Sequence, residues 1–76
     1  MENKYYYKID VIDSKHGYSF MVSSKYLLDE EDVLDRCVDM GYFADNEDVY
    51  HAVVDDLVSK YDIKHFEDSN LILSID

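Results

Sequence analysis

The segment KYYYKIDVI, residues 4–12, decides the predicted fold, because its side chains alternate between two faces. One face carries Tyr5, Tyr7, Ile9 and Val11, and the other carries Tyr6, Lys8, Asp10 and Ile12. Aromatic and β-branched residues in such an alternation favour an extended backbone. The segment therefore predicts a β-strand.

A second strand follows closely. Residues 13–17, DSKHG, are typical of a turn, and Gly17 is able to take a positive φ angle there. Residues 18–23, YSFMVS, alternate again, with Tyr18, Phe20 and Val22 on one face. Two alternating segments separated by turn residues predict an antiparallel β-hairpin.

The apolar period changes to that of a helix after residue 28. Asp29 is predicted to cap this first helix, and Gly41 is predicted to end it. Its apolar stripe consists of Val33, Leu34, Cys37, Val38 and Met40. A second helix is predicted from about residue 47 to residue 60, capped by Asp45 or Asn46. Its stripe consists of Val49, Tyr50, Val53, Val54, Leu57, Val58 and Tyr61.

The remaining residues complete a single α+β domain over residues 1–76. Residues 61–70 are predicted as a loop and residues 71–75, LILSI, as a last strand. The predicted order is β-β-α-α-β, a three-stranded antiparallel sheet with one face under two acidic helices. The predicted contribution of the sheet to the core is Tyr5, Tyr7, Ile9, Val11, Phe20, Val22, Leu71, Leu73 and Ile75.

The charge is concentrated in the middle of the chain. The net charge is -11, and residues 29–56 account for most of it, with eleven acids against the single cation Arg36. Such a chain is repelled by nucleic acid and by anionic membranes and is attracted to basic surfaces. We therefore expect a basic protein partner, and neither direct nucleic-acid binding nor membrane binding.

The cysteine content and the lengths of the apolar runs predict the cellular compartment. A single cysteine, Cys37, excludes an internal disulfide, which is typical of a reducing environment. No apolar run has the length of a signal peptide or a membrane span. We expect a cytoplasmic protein.

The sequence has no recognisable pattern for catalysis or metal binding. The candidate nucleophile Cys37 lies on an apolar stripe, where burial makes a thiol inert. His51 could pair with Asp55 on a helix face, which is an ordinary surface pair, and His16 and His65 are scattered. No ligand spacing fits zinc, and no loop fits the calcium pattern. We expect neither an enzyme, a cofactor nor a metal.

The acidic helices carry the functional prediction. Asp32, Asp35 and Asp39 share one side of the first helix, while Glu31 and Asp35 are four residues apart. One interpretation is a solvated face of unusual composition. The other is that the face imitates a polyanion, since two neighbouring acidic helices would present charge at a density like that of phosphates.

The chain resembles the small anti-defence proteins of bacteriophages, including many anti-CRISPR proteins. The resemblance is carried by the acids between Asp29 and Asp56 and by the absence of an active-site motif. The resemblance is one of class and implies a stoichiometric inhibitor that blocks access of DNA or guide RNA to a CRISPR effector. The alternative is a generic acidic interaction module with a basic partner. The partner-binding residues predicted are Asp29, Glu30, Glu31, Asp32, Asp35, Asp39, Tyr42, Glu47, Asp48, Asp55 and Asp56, with Tyr6 as a further exposed anchor.

Overall fold

A computed structural model describes residues 4–12 and 17–76, which form a mixed four-stranded sheet with helices packed on it. The predicted α+β class is confirmed. In chain order the elements are β1 (Tyr5–Val11), β2 (Tyr18–Ser24), α1 (Glu30–Met40), a 3₁₀ helix (Asn46–His51), β3 (Ala52–Asp55), α2 (Lys60–Asp68) and β4 (Ile72–Ser74).

The predicted hairpin is present. β1 and β2 pair in antiparallel register, with Tyr7 opposite Val22 and Ile9 opposite Phe20. The predicted turn at residues 13–16 lies outside the described residues. Gly17 is described, and its φ angle is not in the positive range.

The sheet has one strand more than predicted. The spatial order is β3-β1-β2-β4, with β3 antiparallel to β1 and β4 parallel to β2. The prediction of three antiparallel strands is therefore wrong. The extra strand comes from residues 52–55, and the last strand runs parallel because the chain crosses the sheet before reaching it.

One face of the sheet packs against α1. Val33 and Cys37 of α1 are fully buried against this face. The sheet and the chain end contribute Tyr7, Ile9, Phe20, Val22, Val54 and Ile75 to this core. Among the predicted core residues, Tyr5 and Leu71 are instead 40% and 46% exposed. One begins β1 and the other precedes β4, so neither lies within a strand under a helix.

The opposite face packs against α2. Met21 of β2 is fully buried and Phe66 of α2 is 7% exposed. Neither residue belongs to the core under α1, so both are buried on the other face of the sheet. The Lys8 ammonium lies 5.9 Å from the centre of the Phe66 ring, on the face opposite to its neighbours Tyr7 and Ile9. The prediction that both helices cover the same face is therefore wrong.

The largest error is the predicted helix at residues 47–60. The chain forms only a short 3₁₀ helix, and it is then extended, with Val54 opposite Ile9 of β1. β-branched side chains such as Val53 and Val54 lose rotamer freedom in a helix and pack well in a strand. The available pairing edge of β1 therefore overrides the helical period of the apolar residues.

A helix forms instead where a loop was predicted. Ser59 caps α2 by accepting a hydrogen bond from the backbone N–H of Asp62 at 3.1 Å. At the other end, Asn70 takes a φ angle of 57°, and Leu71 N–H donates to the Phe66 carbonyl oxygen at 2.9 Å. These contacts satisfy backbone groups that the helix ends would otherwise leave unpaired.

The predicted bounds of the first helix are confirmed at both ends. Asp29 precedes α1 and accepts a hydrogen bond from Asp32 N–H at 3.2 Å. Gly41 has a φ angle of 74°, and Tyr42 N–H donates to the Cys37 carbonyl oxygen at 3.0 Å. No helix in residues 4–12 and 17–76 is long and apolar enough to cross a membrane.

Candidate partner-binding surface

The acidic side chains of α1 lie on its exposed side. Glu30, Glu31 and Asp32 form its first turn, where the positive end of the helix dipole stabilises negative charge. Asp35 and Asp39 continue along the helix and are also exposed. Glu31, Asp35 and Asp39 recur every four residues and form a row in which successive members rise about 6 Å along the axis. We call these three residues the acidic row.

The carboxylates repel each other at the start of the helix. A hydrogen bond to Asp29 favours the protonated form of the Asp32 side chain, and the charge of Asp29 disfavours its ionised form, so both raise the pKa of Asp32 above its ordinary value. The nearby Asp35 raises it further, whereas Arg36 acts in the opposite direction. The structure therefore holds these acids close together against their mutual repulsion.

Arg36 is the only cation within α1, and it is turned towards the end of the chain. Its Nη1 donates a hydrogen bond to the Ile75 carbonyl oxygen at 3.2 Å, and the side chain is half-buried. The last turn of α1 contains no basic residue. The acidic row is thus left with little compensation from its own helix.

A groove runs beside the acidic row. It lies between α1 and the 3₁₀ helix and has a volume of about 610 Å³, within the range of about 300–1,000 Å³ that is typical of binding pockets. Its walls combine acidic and apolar side chains: Glu31, Leu34, Asp35, Val38, Asp39, Val49 and Tyr50. The Tyr50 ring is 84% exposed at its rim. We refer to this feature as the α1 groove.

Asp48 lies inside the protein. It is 8% exposed, and its Oδ2 accepts a hydrogen bond from the Tyr18 hydroxyl at 2.6 Å. The same hydroxyl accepts from Ala44 N–H at 3.0 Å. Burial and the Asp48 hydrogen bond raise the pKa of Tyr18 above its ordinary value. Asp48 therefore positions the 3₁₀ helix and offers little surface to a partner.

The other predicted acids are not joined to the acidic row by a second helix. Asp55 is exposed on β3 directly opposite Lys8, on the sheet face away from α1. Asp56 follows β3 and Glu47 lies in the 3₁₀ helix, both exposed. The predicted pair of neighbouring acidic helices is wrong, because residues 52–55 pair with β1.

The two tyrosines predicted as exposed anchors are both half-buried. The Tyr42 hydroxyl donates to the Ser74 carbonyl oxygen, and its ring packs edge-on against Phe20 at 6.5 Å. The highly exposed tyrosines are instead Tyr26, Tyr50 and Tyr61. Of these, only Tyr50 lines the α1 groove.

The residues considered for catalysis are dispersed. Cys37 is fully buried, and burial raises the pKa of its thiol to about 11. His51 ends the 3₁₀ helix, so the predicted helical pair with Asp55 is wrong. His65 stacks on Tyr61 in α2, and His16 lies outside the described residues. Within the described ranges, no three His, Cys, Asp or Glu side chains form a group that could hold a metal ion.

Comparisons with known proteins give no relative for this chain. No protein-family model, curated protein or solved structure matches it. The assignment of a function therefore rests on the charge and geometry of the surface itself.

The sequence prediction missed the α1 groove. The sequence predicts Val49 and Tyr50 on the apolar stripe of a second helix, whereas Val49 is half-buried in a 3₁₀ helix and Tyr50 is exposed. The sequence signal for the 3₁₀ helix is weak. An aspartate cap followed by acidic residues also begins the α-helix α1, so this pattern does not tell the two kinds of helix apart. Only the strand pairing of β3 with β1 fixes where the helical turn must stop.

Proposed function

We propose that the chain is a non-enzymatic inhibitor of the anti-CRISPR type. The exposed acidic side of α1, which we call the α1 surface, binds the basic nucleic-acid-binding face of a CRISPR effector and blocks access of DNA or guide RNA. The α1 surface consists of Glu30, Glu31, Asp32, Asp35 and Asp39. On this proposal the protein acts in the cytoplasm of a bacterial host. It needs no catalytic residue, because occupation of the surface is sufficient to inhibit.

The exposed carboxylates of α1 carry the proposal. Five of them, Glu30, Glu31, Asp32, Asp35 and Asp39, lie within ten consecutive residues. A ten-residue segment of helix spans about 14 Å, which gives about one charge per 3 Å of axis. One strand of DNA carries about one charge per 3.4 Å. A basic groove that accepts a nucleic-acid strand therefore meets a similar number of charges per length of α1, although the consecutive acids Glu30 to Asp32 point in different directions around the helix axis.

A chain that needed only solubility would not gain from this arrangement. Like charges four residues apart destabilise a helix by about 0.2–0.5 kcal/mol per pair. Mixed charges keep a surface soluble without that cost. The repulsion at Asp29 and Asp32 and the engagement of Arg36 elsewhere both favour a surface kept for a cationic partner.

The second candidate is an acidic interaction module whose basic partner has no role in defence. The exposed apolar side chains near the acids, above all Tyr50 and Leu57, favour a protein partner of any kind. Both candidates predict salt-dependent association. They differ in whether an effector loses its nucleic acid.

The deciding experiment measures binding of target DNA by guide-loaded CRISPR effectors, in the presence of increasing amounts of the protein. We expect stoichiometric inhibition that weakens as salt is added. The double variant Asp35→Lys, Asp39→Lys should lose at least about tenfold in inhibitory potency, because it reverses the charge of two exposed acids of the surface.

A matched control reverses the same charge elsewhere. Glu67→Lys with Asp68→Lys alters two exposed acids of α2, on the opposite face of the sheet. This variant should inhibit like the unaltered protein. Equal loss in both double variants would mean that net charge alone matters, and unchanged inhibition in both would rule out the α1 surface. If the protein inhibits none of the effectors tested, the anti-CRISPR proposal is rejected and the acidic interaction module remains as the second candidate.

A further inference from the structure

We propose that the α1 groove binds an amphipathic helix of a basic protein. Arginine or lysine side chains at four-residue spacing would lie against the acidic row, and an apolar side chain beside them would pack on Val38 and Tyr50. This inference rests on the proposed function only in taking the partner to be a basic protein. It adds the part of that partner which is recognised.

The apolar part of the groove is the first reason. Val38 is 42% exposed although it lies on the side of α1 that adjoins a neighbouring element. Tyr50 projects with 84% of its surface exposed, and no aromatic partner lies against it among the described residues. Exposed aromatic side chains beside a concavity are common anchors of protein contacts. A purely electrostatic surface would not need them.

The spacing of the charges is the second reason. Members of the acidic row rise about 6 Å apart because they recur every four residues on α1. A partner helix with cations every four residues repeats at the same distance, so several pairs can form in one register. The long stems of lysine and arginine can rest on apolar surface while their charged ends reach the carboxylates. The α1 groove is lined by both acidic and apolar side chains, so it can contact the charged ends and the apolar stems together.

Charge complementarity selects this occupant over a second copy of the chain. Two copies that met at the α1 groove would bring the two acidic rows together, and each copy carries a net charge of -11. Like charges placed opposite each other disfavour such an assembly. A nucleic-acid strand is disfavoured for the same reason. A basic helix is attracted by the charge and also covers the exposed ring of Tyr50.

The test uses a synthetic fluorescent peptide with arginine at every fourth position and leucine at the adjoining positions of the same helical face. A scrambled peptide of the same composition keeps the charge and destroys the pattern. Binding is followed by fluorescence anisotropy at low and at physiological salt. We expect the patterned peptide to bind more tightly and to retain the larger share of its affinity in salt.

Two matched variants locate the contact. Tyr50→Ala should weaken binding of the patterned peptide about tenfold, the effect typical of a buried aromatic anchor, and should leave the scrambled peptide unaffected. Tyr61→Ala removes a tyrosine that is 75% exposed on α2 and should change neither. Both positions are exposed, so circular dichroism should show an intact fold for both variants.

The outcomes separate this inference from the proposed function. If Tyr50→Ala binds the patterned peptide like the unaltered protein, the groove is not the site and the inference is overturned. Effector inhibition that is sensitive to Asp35→Lys with Asp39→Lys would then still stand. Conversely, a peptide contact that depends on Tyr50, without inhibition of any effector, supports the groove and rejects the defence role.

Discussion

Among single side chains, Tyr18 and Asp48 hold the 3₁₀ helix against the sheet. The Tyr18 hydroxyl donates to the buried Asp48 carboxylate at 2.6 Å and accepts from Ala44 N–H at 3.0 Å. A buried carboxylate must be hydrogen-bonded to be tolerated. One phenol thus fixes the segment that carries Val49 and Tyr50, the apolar wall of the α1 groove.

We predict that Tyr18→Phe lowers the free energy of unfolding by about 2 kcal/mol. The substitution leaves the buried Asp48 without the Tyr18 donor, whereas the exposed Ala44 N–H can bond to water instead, and hydrogen bonds to charged groups contribute about 1.5–3 kcal/mol. Urea denaturation measures the change. Tyr61→Phe removes a hydroxyl from a 75% exposed ring and should change stability by less than about 0.5 kcal/mol. Equal stability of the two variants would show that the Tyr18 contact contributes nothing.

Among the secondary-structure elements, α1 ends at a glycine in the left-handed conformation. Gly41 takes a φ angle of 74°, and a Cβ added there would meet no atom within 4 Å. The cost of a side chain at this position is therefore one of backbone conformation and not of space. The turn at Gly41 also positions the next residue, Tyr42, whose hydroxyl donates to the Ser74 carbonyl oxygen.

Gly41→Ala should destabilise the protein by about 1 kcal/mol, since an L-residue is strained in the left-handed region. Thermal and urea unfolding followed by circular dichroism measure this effect. Gly17→Ala is the matched comparison, because Gly17 has no positive φ angle and its added Cβ would lie at an ordinary 3.5 Å from the Val11 carbonyl oxygen. That variant should be neutral or slightly stabilising, as expected when the unfolded chain loses freedom. A cost at Gly17 as large as at Gly41 would refute the conformational explanation.

Local signals in the sequence predicted the hairpin and α1 correctly. Alternation over residues 4–12 and 18–23 is a property of the segments themselves, and so are the Asp29 cap and the Gly41 stop of α1. The capping pattern from Ser59 to Asp62 is just as local, and it marks α2. The sequence prediction misses α2 because it assigns residues 47–60 to a helix whose apolar stripe runs from Val49 to Tyr61, and it leaves residues 61–70 as a loop.

Non-local pairing could not be predicted in the same way. Whether Val53 and Val54 belong to a helix or to a strand depends on the free edge of β1, far away along the chain. The same pairing turns Asp55 to the other face of the sheet and leaves Tyr50 exposed at the rim of the α1 groove. The acids of α1 were thus predictable as an exposed set, whereas the groove beside them was not.

Across the protein as a whole, charge opposes folding. A net charge of -11 on 76 residues produces self-repulsion in the compact state. Beside the hydrogen bond to Asp29, the charges of Asp29 and Asp35 contribute to the raised pKa of Asp32. An aspartate whose pKa is higher in the folded state takes up a proton there before it does in the unfolded chain. Its repulsion is therefore present at neutral pH and is relieved as the pH falls through the raised pKa towards the ordinary value of 3.8.

We predict that the midpoint temperature of unfolding rises when the pH is lowered from 7 into this window. Added salt at pH 7 should raise it as well, because screening weakens the same repulsion. Asp32→Asn should start from a higher midpoint at pH 7 and gain less on acidification, whereas Asp68→Asn, at the end of α2, should keep the full gain. A midpoint that falls steadily from pH 7 in all three proteins would mean that carboxylates stabilise the fold more than they repel. The acidic surface would then be part of the protein's own structure, and the argument that it is kept for a cationic partner would lose its energetic basis.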